Sequence, residues 1–252
     1  VFTLPRRFTP IADIAKIHCI GISDPMTMHE QTPFRFSEQG AEHFPGAITD
    51  SLADLRAALV HLPSERAGVR ICGIEALRSF LACDGPIGSI AANVLGPKCR
   101  AVRAIFFDKT AETNWSLAWH QDRTICVKRR IDVNGFGPWT TKGGMQHVSP
   151  PFDLLTRMVT LRAHLDDVPV TNAPLMIAPG SHAKGRVPID AIEQIVSQCG
   201  TQACIANAGD VWLYATPILH ASEAASRPAH RRVLQIDFAA DELPGGLEWL
   251  GI

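Results

Sequence analysis

The sequence predicts a mainly β chain with helices (α+β), a sandwich or jelly roll under a packed N-terminal helical layer. Three observations carry this prediction. From Cys99 onward, short runs of branched and aromatic residues recur at regular intervals. Glycine and proline turns separate those runs. Before Cys99, apolar residues recur instead at helical spacing. The chain has 252 residues, 46% of them hydrophobic, which suits one packed domain. Residues 1–98 are read as its mostly helical part and 99–240 as its β core.

The elements follow in order. "ITDSLADLRAALVHLP" places Leu52, Leu55, Leu59 and Leu62 on one helical stripe. Thr49, Asp50 and Ser51 offer capping oxygens, and Pro63 ends the helix. "GIEALRSFLAC" and "GPIGSIAANVLG" read as two shorter helices. "CRAVRAIFFDKT" is a strand, and "SLAWHQDRTICVKRR" reads largely as one. In "RMVTLRAHLDD", Val159, Leu161, Ala163 and Leu165 point one way, and Met158, Thr160, Arg162 and His164 the other. "APLMIAPGSH" is a short strand ending in a Pro-Gly turn. "PIDAIEQIVSQCG" is a helix with Gly200 at its C-terminal cap. "QACIANAGDVWLYA" is two strands around the turn Ala208-Gly209-Asp210, and "RRVLQIDFAA" closes the series. Between strands runs a loop rich in glycine and proline, residues 132–151. Its length suits a lid or binding loop.

Composition excludes several functions. With 24 basic and 25 acidic residues and no basic stripe, nucleic acid is not the expected partner. No apolar run approaches the roughly 20 residues of a membrane span. "VFTLPRRFTPIADIAKIHC" lacks the apolar core of a secretion signal. Seven scattered cysteines, an odd number without CxxC, argue against a disulfide framework or structural zinc. The cysteines read as buried small hydrophobes. The expectation is a reduced, cytoplasmic monomer or homodimer whose partner is a small molecule.

His120 and Asp122 stand two apart in "AWHQD". Alone, they suit an incidental strand pair. His220, after "DVWLYA", supplies a third donor. Two histidines and a carboxylate on one face of a metal leave adjacent positions open, as iron(II) enzymes need for cosubstrate and dioxygen. Arg231 follows His220 by eleven residues, and an arginine fork grips a dicarboxylate tail. Arg232 is its rival. Period 2 puts Arg232 with Leu234, Ile236 and Phe238, and Arg231 with Val233 and Gln235, the better match to a polar interior. Ser222 offers a hydroxyl to the same carboxylate.

"NWSLAWHQD", "NAPLMIAPGSH", "AGDVWLY", and "LHAS" followed by "RPAHRRVLQIDF" together resemble the phytanoyl-CoA dioxygenase family, over roughly residues 100–238. The resemblance implies a double-stranded β-helix, the cupin-like jelly roll, with Fe(II), 2-oxoglutarate and O2. It implies iron on His120, Asp122 and His220, and the 2-oxoglutarate C5 carboxylate on Arg231 and Ser222. It implies hydroxylation of a C–H bond with release of succinate and CO2. Halogenases of this type lack the carboxylate, so Asp122 favours hydroxylation. Where many members carry a tryptophan beside the cosubstrate, this chain has Arg162, which either helps bind 2-oxoglutarate or holds a substrate carboxylate.

Further candidates for substrate contact are Thr160 and His164, on the face of Arg162, and Trp139, Gln146 and His147 in the long loop. The first two equally suit satisfied interior polar groups, and the loop residues a solvated surface. His182 reads as fixing its turn. The expected substrate is a small molecule, an amino acid or natural-product intermediate. An acyl-CoA is the alternative within this mechanism. A cupin-like metal isomerase or binding protein, which would not need Arg231, is the alternative outside it.

Overall fold

The computed structural model describes residues 34–63, 66 and 68–252. The N-terminal stretch "VFTLPRRFTPIADIAKIHC", and with it the first third of the expected helical part, lies outside the described residues. Ahead of the β core come α1 (Phe36–Gln39), β1 (Ala41–Phe44), α2 (Leu52–Leu59), β2 (Val69–Ile71), α3 (Arg78–Leu81) and α4 (Gly88–Leu95). The core then runs β3 (Arg100–Lys109), β4 (Leu117–His120), β5 (Ile125–Val127), β6 (Trp139–Lys142), β7 (Met145–Val148), α5 (Phe152–Thr156) and β8 (Met158–His164). It ends with β9 (Leu175–Ile177), α6 (Ile192–Cys199), β10 (Gln202–Cys204), β11 (Val211–Ala215), β12 (His220–Ser222) and β13 (Arg231–Ala239).

Two antiparallel sheets make the jelly roll. The larger has the order β1-β11-β8-β13-β3-β2, and the smaller β10-β9-β12-β4. Alternation gives each strand of the larger sheet two faces. Val159, Leu161, Ala163, Leu234, Ile236 and Phe238 pack outward on Leu55, Leu59, Leu77, Phe80 and Ile90 of the helical layer. Arg103, Arg162, Arg231 and Gln235 point inward, to a cavity shared with the smaller sheet. Burying one large aliphatic side chain contributes about 1.5–3 kcal/mol, so the outward face, with its many such residues, anchors the helices.

The structure amends four expectations. Residues 49–51 form a 3-10 turn, and no side-chain capping bond starts α2. Wound into that turn, their oxygens are not aimed at the free N–H groups. β10 and β11 do not pair with each other: β10 joins β9, while β11 lies between β1 and β8. The turn at 208–210 therefore carries the chain from one sheet to the other. The long loop 132–151 contains the hairpin β6–β7, which pairs with β5 in a third sheet. That sheet packs on the C-terminal Leu243, Leu247 and Trp249. Finally, Cys72 and Cys83 are exposed, whereas Cys99, Cys126 and Cys204 are buried.

Close approach requires glycine at Gly88 and Gly40, among other positions. A Cβ at Gly88 would stand 2.0 Å from the Ala82 carbonyl oxygen, so only glycine lets α4 start against the end of α3. A Cβ at Gly40 (φ 69°) would stand 2.1 Å from the His182 ring. His182 thus seats the "PGSH" turn directly on the α1–β1 corner, where the Gly180 N–H also donates to the Gln39 carbonyl at 2.8 Å.

Candidate metal centre

β4 and β12 are antiparallel neighbours whose register sets His120 opposite His220. Their ring centroids are 4.3 Å apart. Asp122 comes two residues after His120, and Gln121 between them is locked. Its Nε2 donates to the Gly185 and Pro217 carbonyls at 3.0 and 2.8 Å, and its Oε1 accepts from the Val187 N–H at 2.9 Å. One donor atom from each of His120, Asp122 and His220 lies within 4.8 Å of the other two.

The tautomers follow from the backbone. His120 Nδ1 lies 2.8 Å from the Ala118 carbonyl, and His220 Nδ1 lies 2.9 Å from that of Ile218. A carbonyl only accepts, so each ring holds its proton on Nδ1 and leaves Nε2 bare, as a metal ligand must. Burial, with His120 alongside, pushes His220 down to about 4.

Asp122 is held by a buried network. Arg103 Nη2 donates to Asp122 Oδ2 at 3.0 Å, and Arg103 Nε to Asp237 Oδ2 at 2.5 Å. Thr160 donates to Asp237 Oδ1 at 3.0 Å. Burial alone would raise the Asp122 carboxyl, but Arg103, His220 and His120 together hold it below its usual range. Asp237 moves the other way, raised by burial and by Asp122 despite Arg103.

Next to these residues lies a cavity of about 480 Å³, also lined by Arg162, Ser222, Arg231 and Gln235. Arg231 is buried and donates to the Ala173 carbonyl. Arg162 is buried and donates to Gln235 Oε1 at 2.6 Å. Lys109 is buried behind them, with Nζ 3.3 Å from Ser222 Oγ and 2.6 Å from the Glu223 carbonyl. Among the described residues none of the three has a carboxylate partner, and the Nε atoms of Arg162 and Arg231 are buried without any partner. Burial, then Arg162, pushes the Arg231 guanidinium down to about 9. Burial, then Arg231 and Arg162, pushes Lys109 down to about 8. Three buried cations in one place are costly unless an anion joins them. The donor set and the unmatched cations therefore fit a divalent metal and a small dicarboxylate.

The sites named from sequence divide. His120, Asp122, His220, Arg162, Ser222 and Arg231 line one cavity. Arg232 sits on the opposite face, paired with Asp166 at 2.6 Å. Thr160, His164, Trp139, Gln146 and His147 do not line it. Thr160 is taken up by Asp237 and Thr216. His164 is buried with neither ring nitrogen partnered, and burial, then Arg162, lowers it well below its usual value. Trp139 packs on the core under the third sheet, and His147 is fully buried on the middle strand of that sheet. Arg103, Lys109, Asp237 and Gln235 are further site residues. The signal for them was charge or amide on the inward period of β3 and β13.

A family model described as phytanoyl-CoA dioxygenase matches residues 75–233. No curated protein matches the sequence. Solved structures share the fold. HygX from Streptomyces hygroscopicus with iron bound is 16% identical, with a TM-score of 0.54 over 81% of this chain and 83% of that one. The epimerase SnoN, from nogalamycin biosynthesis, in complex with Fe3+, alpha ketoglutarate and nogalamycin RO is 17% identical, TM-score 0.56, over 84% and 88%. EctD from S. alaskensis in its apoform is 16% identical, TM-score 0.57, over 86% and 82%.

Proposed function

The chain belongs to the phytanoyl-CoA dioxygenase family, and on that premise we propose that it is an iron(II)- and 2-oxoglutarate-dependent dioxygenase hydroxylating an unactivated C–H bond of a small molecule. The observation that carries this reading is the meeting of three metal donors with buried, anion-deprived cations in one cavity. The overall balance is substrate, 2-oxoglutarate and O2 going to hydroxylated substrate, succinate and CO2. When bound, the iron and 2-oxoglutarate supply the oxidising chemistry.

The chain's own residues bind and orient. His120, Asp122 and His220 would hold the iron and leave positions open. Arg231 and Ser222 would take the far carboxylate of 2-oxoglutarate, with Arg162 and Lys109 adding positive charge behind it. Arg103 fixes the Asp122 carboxylate as an acceptor. Arg162, Ser222 and Arg231 are buried, which would shield the far carboxylate of 2-oxoglutarate from water, whereas His120 and Asp122 are half-buried and reachable from the cavity.

The test is succinate release with iron(II), 2-oxoglutarate and O2, with and without candidate small molecules. Asp122→Ala should abolish turnover while leaving the melting curve cooperative. Full activity in that variant, or no iron binding in the parent protein, sinks the reading. Epimerisation is the second reading, motivated by the fold shared with the epimerase SnoN. Product analysis separates them: hydroxylation adds one oxygen atom from O2, epimerisation none.

A further inference from the structure

Beyond the cosubstrate end, the cavity wall carries three more cations: Arg70 from β2, Arg123 after β4 and Lys142 at the end of β6. The only acid on that wall among the described residues is Asp122, and Arg103 already holds it. None of the three cations has a described carboxylate partner. Arg123 Nη2 is anchored on the Val187 carbonyl at 2.5 Å. Arg70 has its Nε buried without a partner. The hairpin turn after Lys142 rests on Arg70, whose Cδ is 3.7 Å from where a Cβ of Gly143 would stand. Arg70 and Lys142 therefore converge from different sheets on one side of the cavity.

Lys142 is exposed and Arg70 and Arg123 are half-buried, yet the lack of a free acid among them is not the pattern of an ordinary solvated surface. Exposed cations are ordinarily interspersed with acids, and a cleft lined by one sign of charge concentrates ligands of the other sign. Burial, then Arg103, lowers the Arg70 guanidinium below its ordinary value, a strain that a bound anion relieves. Arg231 and Arg162 cannot be the intended anion site, because 2-oxoglutarate takes them in the reading above.

We infer that the primary substrate carries an oxyanion, a carboxylate or a phosphate monoester, which docks on Arg70 and Lys142 with Arg123 beside them. The inference rests on the dioxygenase reading and specifies its substrate class. A fork and a flexible ammonium suit a tetrahedral or planar oxyanion equally, so the source is left to experiment.

Protein loaded with nickel(II), which supports no turnover, is saturated with 2-oxoglutarate and titrated calorimetrically. The probes are homologous linear carboxylates, alkyl phosphates, and their matched neutral amides and alcohols. One acid series should bind and its neutral counterparts should not. The series that binds identifies the group. Arg70→Gln combined with Lys142→Gln should weaken that acid by about tenfold or more relative to 2-oxoglutarate, whereas Arg70→Lys should retain part of the affinity. Equal binding of neutral probes, undiminished acid binding in the double variant, or no acid binding beside bound 2-oxoglutarate each overturns the inference. Failure of 2-oxoglutarate itself to bind sinks the dioxygenase reading and this one with it.

Discussion

Arg103 joins two carboxylates: the buried Asp237, opposite it on β13, and the half-buried Asp122 that follows β4. Arg103→Ala leaves both without their counter-charge. Breaking a buried pair in this way costs about 3–5 kcal/mol, so urea unfolding should show a loss of that order and metal affinity should fall with it. Arg231 and Arg232 allow a cleaner comparison. Arg231→Ala should weaken 2-oxoglutarate binding by about 2–5 kcal/mol, read as a dissociation constant on metal-loaded protein. Arg232→Ala should leave that constant unchanged, because its side chain binds Asp166 on the far face. Alternation along one strand was enough to distinguish these neighbours in the sequence. It could not show that Arg103 meets Asp237, because that contact depends on which strands become neighbours.

At the scale of elements, long strands with clean alternation were legible and short ones were not. β8 and β13 declare two faces over seven and nine residues. β1 and β2 have four and three residues and become strands by joining the edges of a sheet built elsewhere in the chain. The hairpin β6–β7 was masked by the glycines and prolines around it. Asp166 fastens the end of β8 to the start of β13, accepting from the Arg232 N–H at 2.9 Å and from its guanidinium at 2.8 and 2.6 Å. Burial would raise this carboxyl, but the Arg232 bonds hold it below its usual value. A depressed folded-state pKa adds stability above the unfolded value of about 3.9, and that stability is lost as pH falls through the folded value. Asp166→Asn should therefore be less stable than the parent at neutral pH, with the gap closing in acid. Parallel unfolding curves across pH check this.

At the scale of the whole molecule, the jelly roll and the meeting of His120, Asp122 and His220 could be read from spacing and motif order. The charge of the cavity could not, because its cations come from β2, β3, β6, β8 and β13. Those unmatched cations make the ligand-free protein the less stable form. Metal and 2-oxoglutarate, each at a hundredfold excess over its Kd, should each add about 2.7 kcal/mol, and each such increment raises the melting temperature of a chain of this size by roughly 5–10 °C. Arg231→Ala should blunt the part due to 2-oxoglutarate. The His182 ring fills the space that a side chain at position 40 would need, and the segment just after it, Gly185 to Val187, holds Gln121 between His120 and Asp122. In related sequences positions 40 and 182 should therefore vary together: where the glycine is replaced, the imidazole should give way to something small. A mismatched pair grafted into this protein should loosen the metal centre from a distance.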